Sequence, residues 1–154
     1  MSGRVLLDSN VLVALVDSRD KWHSRAKGLL DLLEARQVDL IYLDCVVNET
    51  ISVLARRAEE QKRSGRFPAL LDKLLQQVPE DTITWALLEI KRLYPQVIEL
   101  VRNTSGALNF HDALMALFCR EIGEAEIASF DEDFDRIAWL KRFTFPHVRE
   151  SETA

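Results

Sequence analysis

The chain has 154 residues, 20 of them basic and 25 acidic, for a net charge of −5, and 47 % of it is hydrophobic. That length suits one domain able to bury a core without disulfides or a structural metal. The composition excludes a largely disordered chain and a surface coated in basic charge for nonspecific nucleic-acid binding. It is compatible with an enzyme that gathers acids around a cation.

In chain order, RVLLD (4–8) is a continuous apolar run ending in an acid, which predicts a strand buried on both faces of a parallel sheet. SNVLVALVD follows at once. Ser9 and Asn10 are helix-start residues, so a short buried helix is expected. From about Trp22 to Arg36, Ala26, Leu29, Leu30, Leu32 and Leu33 form a helical stripe. DLIYLD (39–44) is a second strand, and Val46 to about Lys62 a helix with Val47, Ile51, Leu54 and Ala58 on one face. FPALLDKLLQQV predicts an amphipathic helix with Pro68 in its first turn. TIT (82–84) fits a strand remnant or the lead-in to a helix over WALLEIKRLYPQVIELVRN, which Pro95 should kink. After the break at TSG, ALNFHDALMAL opens a helix to about Ile122, with Gly123 as its cap. AEIASFD is a third strand, DFDRIAWLK a short helix and FTF (143–145) a possible last strand. Strands alternating with helices predict an α/β fold with a mainly parallel sheet.

Cys45 and Cys119 lie in apolar runs without CxxC spacing and read as small core residues in a reducing compartment. Asp8 interrupts the first apolar run, so no signal-peptide pattern opens the chain. No stretch approaches the roughly 20 apolar residues of a membrane span. A soluble, cytoplasmic protein without membrane contact is the expectation.

Open α/β sheets bind ligands beyond the carboxyl ends of their strands. Asp8 and Asp131 end apolar strands there, and Glu49 is expected in the first turn of the helix after the second strand. Asp112 opens its own helix, but element order alone does not settle whether that helix start reaches the same edge. Each acid also has a purely structural reading. Asp8 can cap the helix it precedes. Glu49 can favour a positive helix start. Asn109 and Asp112 have capping-box spacing, Asp131 can close an Asx-turn, and Asp133 and Asp135 suit a solvated helix start. Those readings leave unexplained why four acids fall at element ends that can face one cleft. Carboxylates without histidine or thiolate suit hard cations, Mg²⁺ or Mn²⁺, which activate water and stabilise phosphodiester chemistry.

Four segments carry these acids: LLDSNVLVAL around Asp8, VVNETISVL around Glu49, NFHDALMALFCREIG around Asp112 and IASFDEDFDRI around Asp131. Their order and surroundings resemble the PIN-domain nucleases from near residue 4 to near residue 146. The small size is most similar to the VapC-type toxins of prokaryotic toxin–antitoxin pairs. The resemblance implies a three-layer α/β/α sandwich with a central, mainly parallel sheet of four to five strands. One domain would span residues 1–147, and residues 148–154 would form a flexible tail. It implies an Mg²⁺- or Mn²⁺-dependent endoribonuclease whose products carry 5′-phosphate and 3′-hydroxyl ends. Asp8, Glu49 and Asp112 match the family's most regular metal-site acids, and Asp131 the more variable fourth. Asn10 and Ser129 match polar positions that support the acids, and Asp133 an outer contributor. A homodimer and a small antitoxin partner are implied as well, with FPALLDKLLQQV as a candidate dimer surface. The segment from about Ala58 to Arg102 matches the family only loosely.

Arg56, Arg57, Lys62, Arg63 and Arg66 are candidates for RNA backbone contact, and each could equally belong to a solvated charged face. His111 beside Asp112 suggests an HD-type phosphohydrolase, but that class needs further metal histidines and only His23 and His147 remain. His111 is therefore read as a helix-start residue near the cleft, able to touch substrate. Two other functions stay open: an RNA-processing or quality-control nuclease, and a non-catalytic RNA- or protein-binding module on the same fold.

Overall fold

The computed structural model describes residues 3–123 and 125–143. Four parallel strands form the sheet: β1 (Arg4–Leu7), β2 (Asp39–Leu43), β3 (Ile83–Thr84) and β4 (Glu126–Ala128), in the order β3-β2-β1-β4. β1 is central, with Leu6 opposite Ile41 on one side and Ile127 on the other. Val5, Leu6 and Leu7 are all buried, as a strand covered by helices on both faces requires. An isolated parallel bridge pairs Arg142 with Ile127 of β4. The rest of FTF beyond Phe143, His147 and the 148–154 tail lie outside the described residues.

The helices are α1 (Ser9–Val16), α2 (His23–Ala35), α3 (Asp44–Glu60), α4 (Phe67–Gln77), α5 (Ile90–Asn103) and α6 (Phe110–Ile122). α1 packs against α2, α3 and α4, while α5 packs against α6, completing a three-layer α/β/α sandwich. α6 is buried through its middle, where every residue from Ala113 to Cys119 is covered. Cys45 and Cys119 are free and buried, as expected of core thiols. Among the described residues, no helix is long and apolar enough to cross a membrane.

Several boundaries differ from the sequence expectation, each for a physical reason. Asp44 belongs to α3 rather than to the second strand. Its carboxylate accepts from the backbone N–H of Ala86 (2.8 Å) and Leu87 (3.1 Å), pinning the chain just after β3. Ile83 and Thr84 of TIT form the short strand β3, and the segment after it divides into a 3₁₀ turn (Leu87–Glu89) and α5. Pro95 sits inside α5, which continues through it. The third strand stops at Ala128, so Ser129 and Phe130 separate it from Asp131. DFDRIAWLK contributes only to a 3₁₀ helix over Glu132–Arg136.

The direction of α6 decides where Asp112 goes. Arg4, at the amino end of β1, donates from Nη1 to the Ile122 carbonyl at the end of α6 (3.0 Å). α6 thus runs antiparallel to the strands, and its first turn lies at their carboxyl edge. Leu114 and Met115, one turn further on, are completely buried and anchor that start. Leu114→Ala is expected to cost about 3 kcal/mol through lost burial and a residual cavity. A lower urea midpoint at unchanged slope would register the loss.

Candidate active site

At the carboxyl edge of the sheet lies an open cleft of about 310 Å³, lined by Asp8, Glu49, Asp112 and Asp131 together with Asn10, Asn109, Trp22, Arg56 and Arg57. Each acid arrives by a different local device. Asp8 follows β1 directly and is the N-cap of α1, its Oδ1 accepting from the Ser9 N–H at 2.7 Å. Glu49 lies in the second turn of α3 rather than the first, because that helix already starts at Asp44. Asp112 forms a complete capping box with Asn109: Asn109 Oδ1 accepts from the Asp112 N–H (2.9 Å), and Asp112 Oδ2 accepts from the Asn109 N–H (3.1 Å). Asp131 Oδ1 accepts from the Asp133 N–H (2.9 Å) in an Asx-turn. The capping readings of Asp8, Asp112 and Asp131 and their position in the cleft therefore hold together. Capping engages only part of each carboxylate, which has about four acceptor sites.

Ser129 organises the floor. Its hydroxyl donates to Asp8 Oδ2 at 2.6 Å and accepts from Asn10 Nδ2 (3.1 Å) and from the Asp131 N–H (3.0 Å). Asn10 Oδ1 in turn accepts from the Phe130 N–H (3.3 Å). One fully buried hydroxyl thus links the first acid to the segment carrying the fourth, across 121 residues of sequence.

Residues 5–140 match the family model of the PIN domain. The chain belongs to the PIN-domain family. Its fold is similar to that of VapC20 of Mycobacterium tuberculosis, a toxin that cleaves the sarcin–ricin loop. The two chains superpose with a TM-score of 0.65 over 92 % of this chain and 99 % of that one, at 22 % sequence identity. No curated protein sequence matches the chain.

The PIN-domain cleft is electrostatically loaded. Asp8 is 4 % exposed, and burial pushes its carboxyl up to about 7, against the lowering effect of the Ser129 hydroxyl and the Ser9 N–H. The charges of Asp112 and Glu49 add to the rise. Asp112 is pushed up to about 6, first by burial and then by Asp131 and Glu49, while the Asn109 N–H works in the opposite direction. Glu49 thus lies close enough to oppose the ionisation of both Asp8 and Asp112, and Asp131 close enough to oppose that of Asp112. Among the described residues, no three acidic, histidine or cysteine side chains form a ready-made metal-holding group. Burial also pushes the thiols of Cys45 and Cys119 up to about 12, which leaves them inert as nucleophiles.

Other sequence candidates are distributed differently. Arg57 lines the cleft, but its Nη1 is paired with Asp20 (2.8 Å) and lies 3.9 Å from Asp17. Arg56 lines the cleft and is exposed. His111 is half-buried with its ring edge-on to Phe110 at 6.0 Å, and it is not among the cleft-lining residues. Asp133 is not either, and its carboxylate pairs with Arg136 at 3.0 Å. Asp20 and Trp22 do line the cleft, and sequence reading gave them no role there. Trp22 stacks on Phe130 with ring centroids 4.4 Å apart, closing the α2 side of the site. A Trp at a helix start gives no sequence signal that distinguishes cleft wall from core.

The raised Asp8 carboxyl has a definite sign in stability. A carboxyl that binds its proton more tightly in the folded chain makes the metal-free protein lose stability as pH rises from about 4 towards 7. Asp8→Asn, which removes the charge, keeps one carbonyl acceptor and puts an NH2 donor in place of the other oxygen, should raise the melting temperature in EDTA at pH 8. The gain should shrink as pH falls to about 3, below the ordinary aspartate value, where Asp8 is protonated in both states. Thermal unfolding across that range measures the difference.

Proposed function

We propose that this PIN-domain protein is an Mg²⁺- or Mn²⁺-dependent endoribonuclease, acting as the toxin of a toxin–antitoxin pair. The observation that carries the reading is the convergence of Asp8, Glu49, Asp112 and Asp131 on one cleft, with Asp8 buried and its ionisation resisted. An all-carboxylate donor set fits a hard divalent cation, and such an ion would relieve the mutual repulsion that burial imposes. Asp8, Glu49 and Asp112 would hold it, with Asp131 completing the set. When bound, a divalent cation supplies an activated water and stabilises charge on the phosphodiester.

The chain's own residues do the rest. Ser129 holds the Asp8 carboxylate in one orientation and ties it to the Asp131 segment. The Asn109 cap fixes Asp112 on a rigid helix start, and Asn10 restrains the turn at Phe130. Arg56, on the rim of the same cleft, is placed to meet a backbone phosphate. The inert cysteines, and the lack of a histidine among the described lining residues, argue for attack by water rather than by a side chain. The likeness to a sarcin–ricin-loop-cleaving toxin supports RNA as the substrate, while a small antitoxin and a second copy of the chain are the partners that the family resemblance implies.

The direct test is cleavage of tRNA, rRNA and unstructured RNA with Mg²⁺ or Mn²⁺ against EDTA. Cleavage should require the metal and should vanish in Asp8→Asn and Asp112→Asn while circular dichroism stays native. Metal-independent cleavage, or full activity in either variant, would contradict the proposal. RNA binding without cleavage under every metal condition would instead identify a non-catalytic module. Toxin action is checked separately by expression in a bacterial host: growth should arrest, and co-expression of a small cognate partner should relieve it. Cleavage without arrest would point to RNA processing.

A further inference from the structure

Beside the acidic cleft is a second, smaller depression whose polar lining is dominated by arginine: Arg19, Arg57, Arg63 and Arg66, with Asp17 as its one acid. Three separate segments build it: the loop after α1, the α3 helix, and the turn leading into α4. Arg57 lines both this depression and the cleft, so the two are joined through its side chain. Its guanidinium is held from the cleft side by Asp20 at 2.8 Å. Arg19, Arg63 and Arg66 are exposed, and among the described residues none has a carboxylate within ion-pairing distance. In a chain of net charge −5, unanswered cations gathered around one hollow repel each other and attract an external polyanion. Guanidinium groups are suited to phosphate in particular, because their planar fork matches two phosphate oxygens.

We infer that this arginine surface is the track along which the RNA strand leaves the cleft, its backbone phosphates seated on Arg19, Arg63 and Arg66. Continuity through Arg57 selects RNA as the occupant, since a strand whose scissile phosphate lies among the acids must pass over that residue to reach the depression. Arg19 is the new member of the set: it lies 38 positions from Arg57 in sequence, and only the fold brings it there. The inference rests on the nuclease reading and extends it. A substrate must reach beyond the scissile bond on this side to bind tightly.

The test is fluorescence anisotropy of a labelled, unstructured single-stranded RNA in EDTA, which prevents cleavage, over a range of salt concentrations. Arg19→Gln/Arg63→Gln/Arg66→Gln should bind more weakly than the natural chain. Its plot of log Kd against log salt should be shallower by about 2, at roughly 0.7 per lost phosphate contact. A control of equal charge loss elsewhere, Lys73→Gln/Lys91→Gln/Arg102→Gln, should keep the natural slope. An unchanged slope in the arginine variant, or an equal loss in the control, would overturn the track. Metal-dependent cleavage of the same RNA by the natural chain separates the two ideas. Cleavage with an unchanged slope removes the track and leaves the nuclease, and a changed slope without cleavage keeps the binding surface and removes the nuclease.

Discussion

The 2.6 Å hydrogen bond from Ser129 to Asp8 is the contact on which the site depends. It exists because β1 and β4 are neighbours in a parallel sheet and end in register, with Leu7 opposite Ala128. The next residue on each strand then meets its counterpart at the carboxyl edge: Asp8 on one side, Ser129 on the other. The same hydroxyl accepts from Asn10 and from the Asp131 backbone, so one buried oxygen ties the β1–α1 junction to the turn after β4. Buried polar networks of this kind are stable only when every member is satisfied. Here no buried side-chain polar atom among the described residues lacks a partner.

That ordering comes with an electrostatic cost. A carboxylate placed where water is excluded and other carboxylates are near resists ionisation, and Asp8 and Asp112 both do so. A protein selected for stability alone would place leucine or asparagine at such a position. Retaining four acids there makes sense if something positive completes the site. The same cleft also carries basic charge, through Arg56 and through Arg57 in its ion pair with Asp20. The cleft thus carries both signs of charge: acids that attract a cation and an exposed Arg56 suited to phosphate.

Much of this was readable from the amino-acid order. The apolar runs of β1 and β2, the helical stripe of α2 and the buried run of α6 follow from composition and periodicity, and the four acids are conspicuous at element ends. What escaped reading was long-range. Asp44 looks like the end of a strand, yet it serves as the anchor for Ala86 and Leu87 some 42 positions away. Asp131 looks like a strand terminus, but pairing with β1 stops at Ala128. The placement of Asp112 needed the direction of α6, which the Arg4–Ile122 contact reveals and no local pattern encodes. Trp22 and Arg19 are surface-compatible residues whose neighbours come from distant segments. His111 was conspicuous for its adjacency to Asp112, yet the helix turns it against Phe110 instead of into the cleft.

The central claim is that Asp8 is a buried carboxylate held for a cation, and the most direct measurement is its own titration. In protein labelled with ¹³C at the aspartate carboxyls, the Asp8 resonance should titrate near pH 7 in EDTA. Saturating Mg²⁺ should move that titration well down towards the ordinary carboxylate range, with Asp112 responding in the same direction. An Asp8 resonance that already titrates in the ordinary range without metal, or one that Mg²⁺ leaves unmoved, would contradict the account.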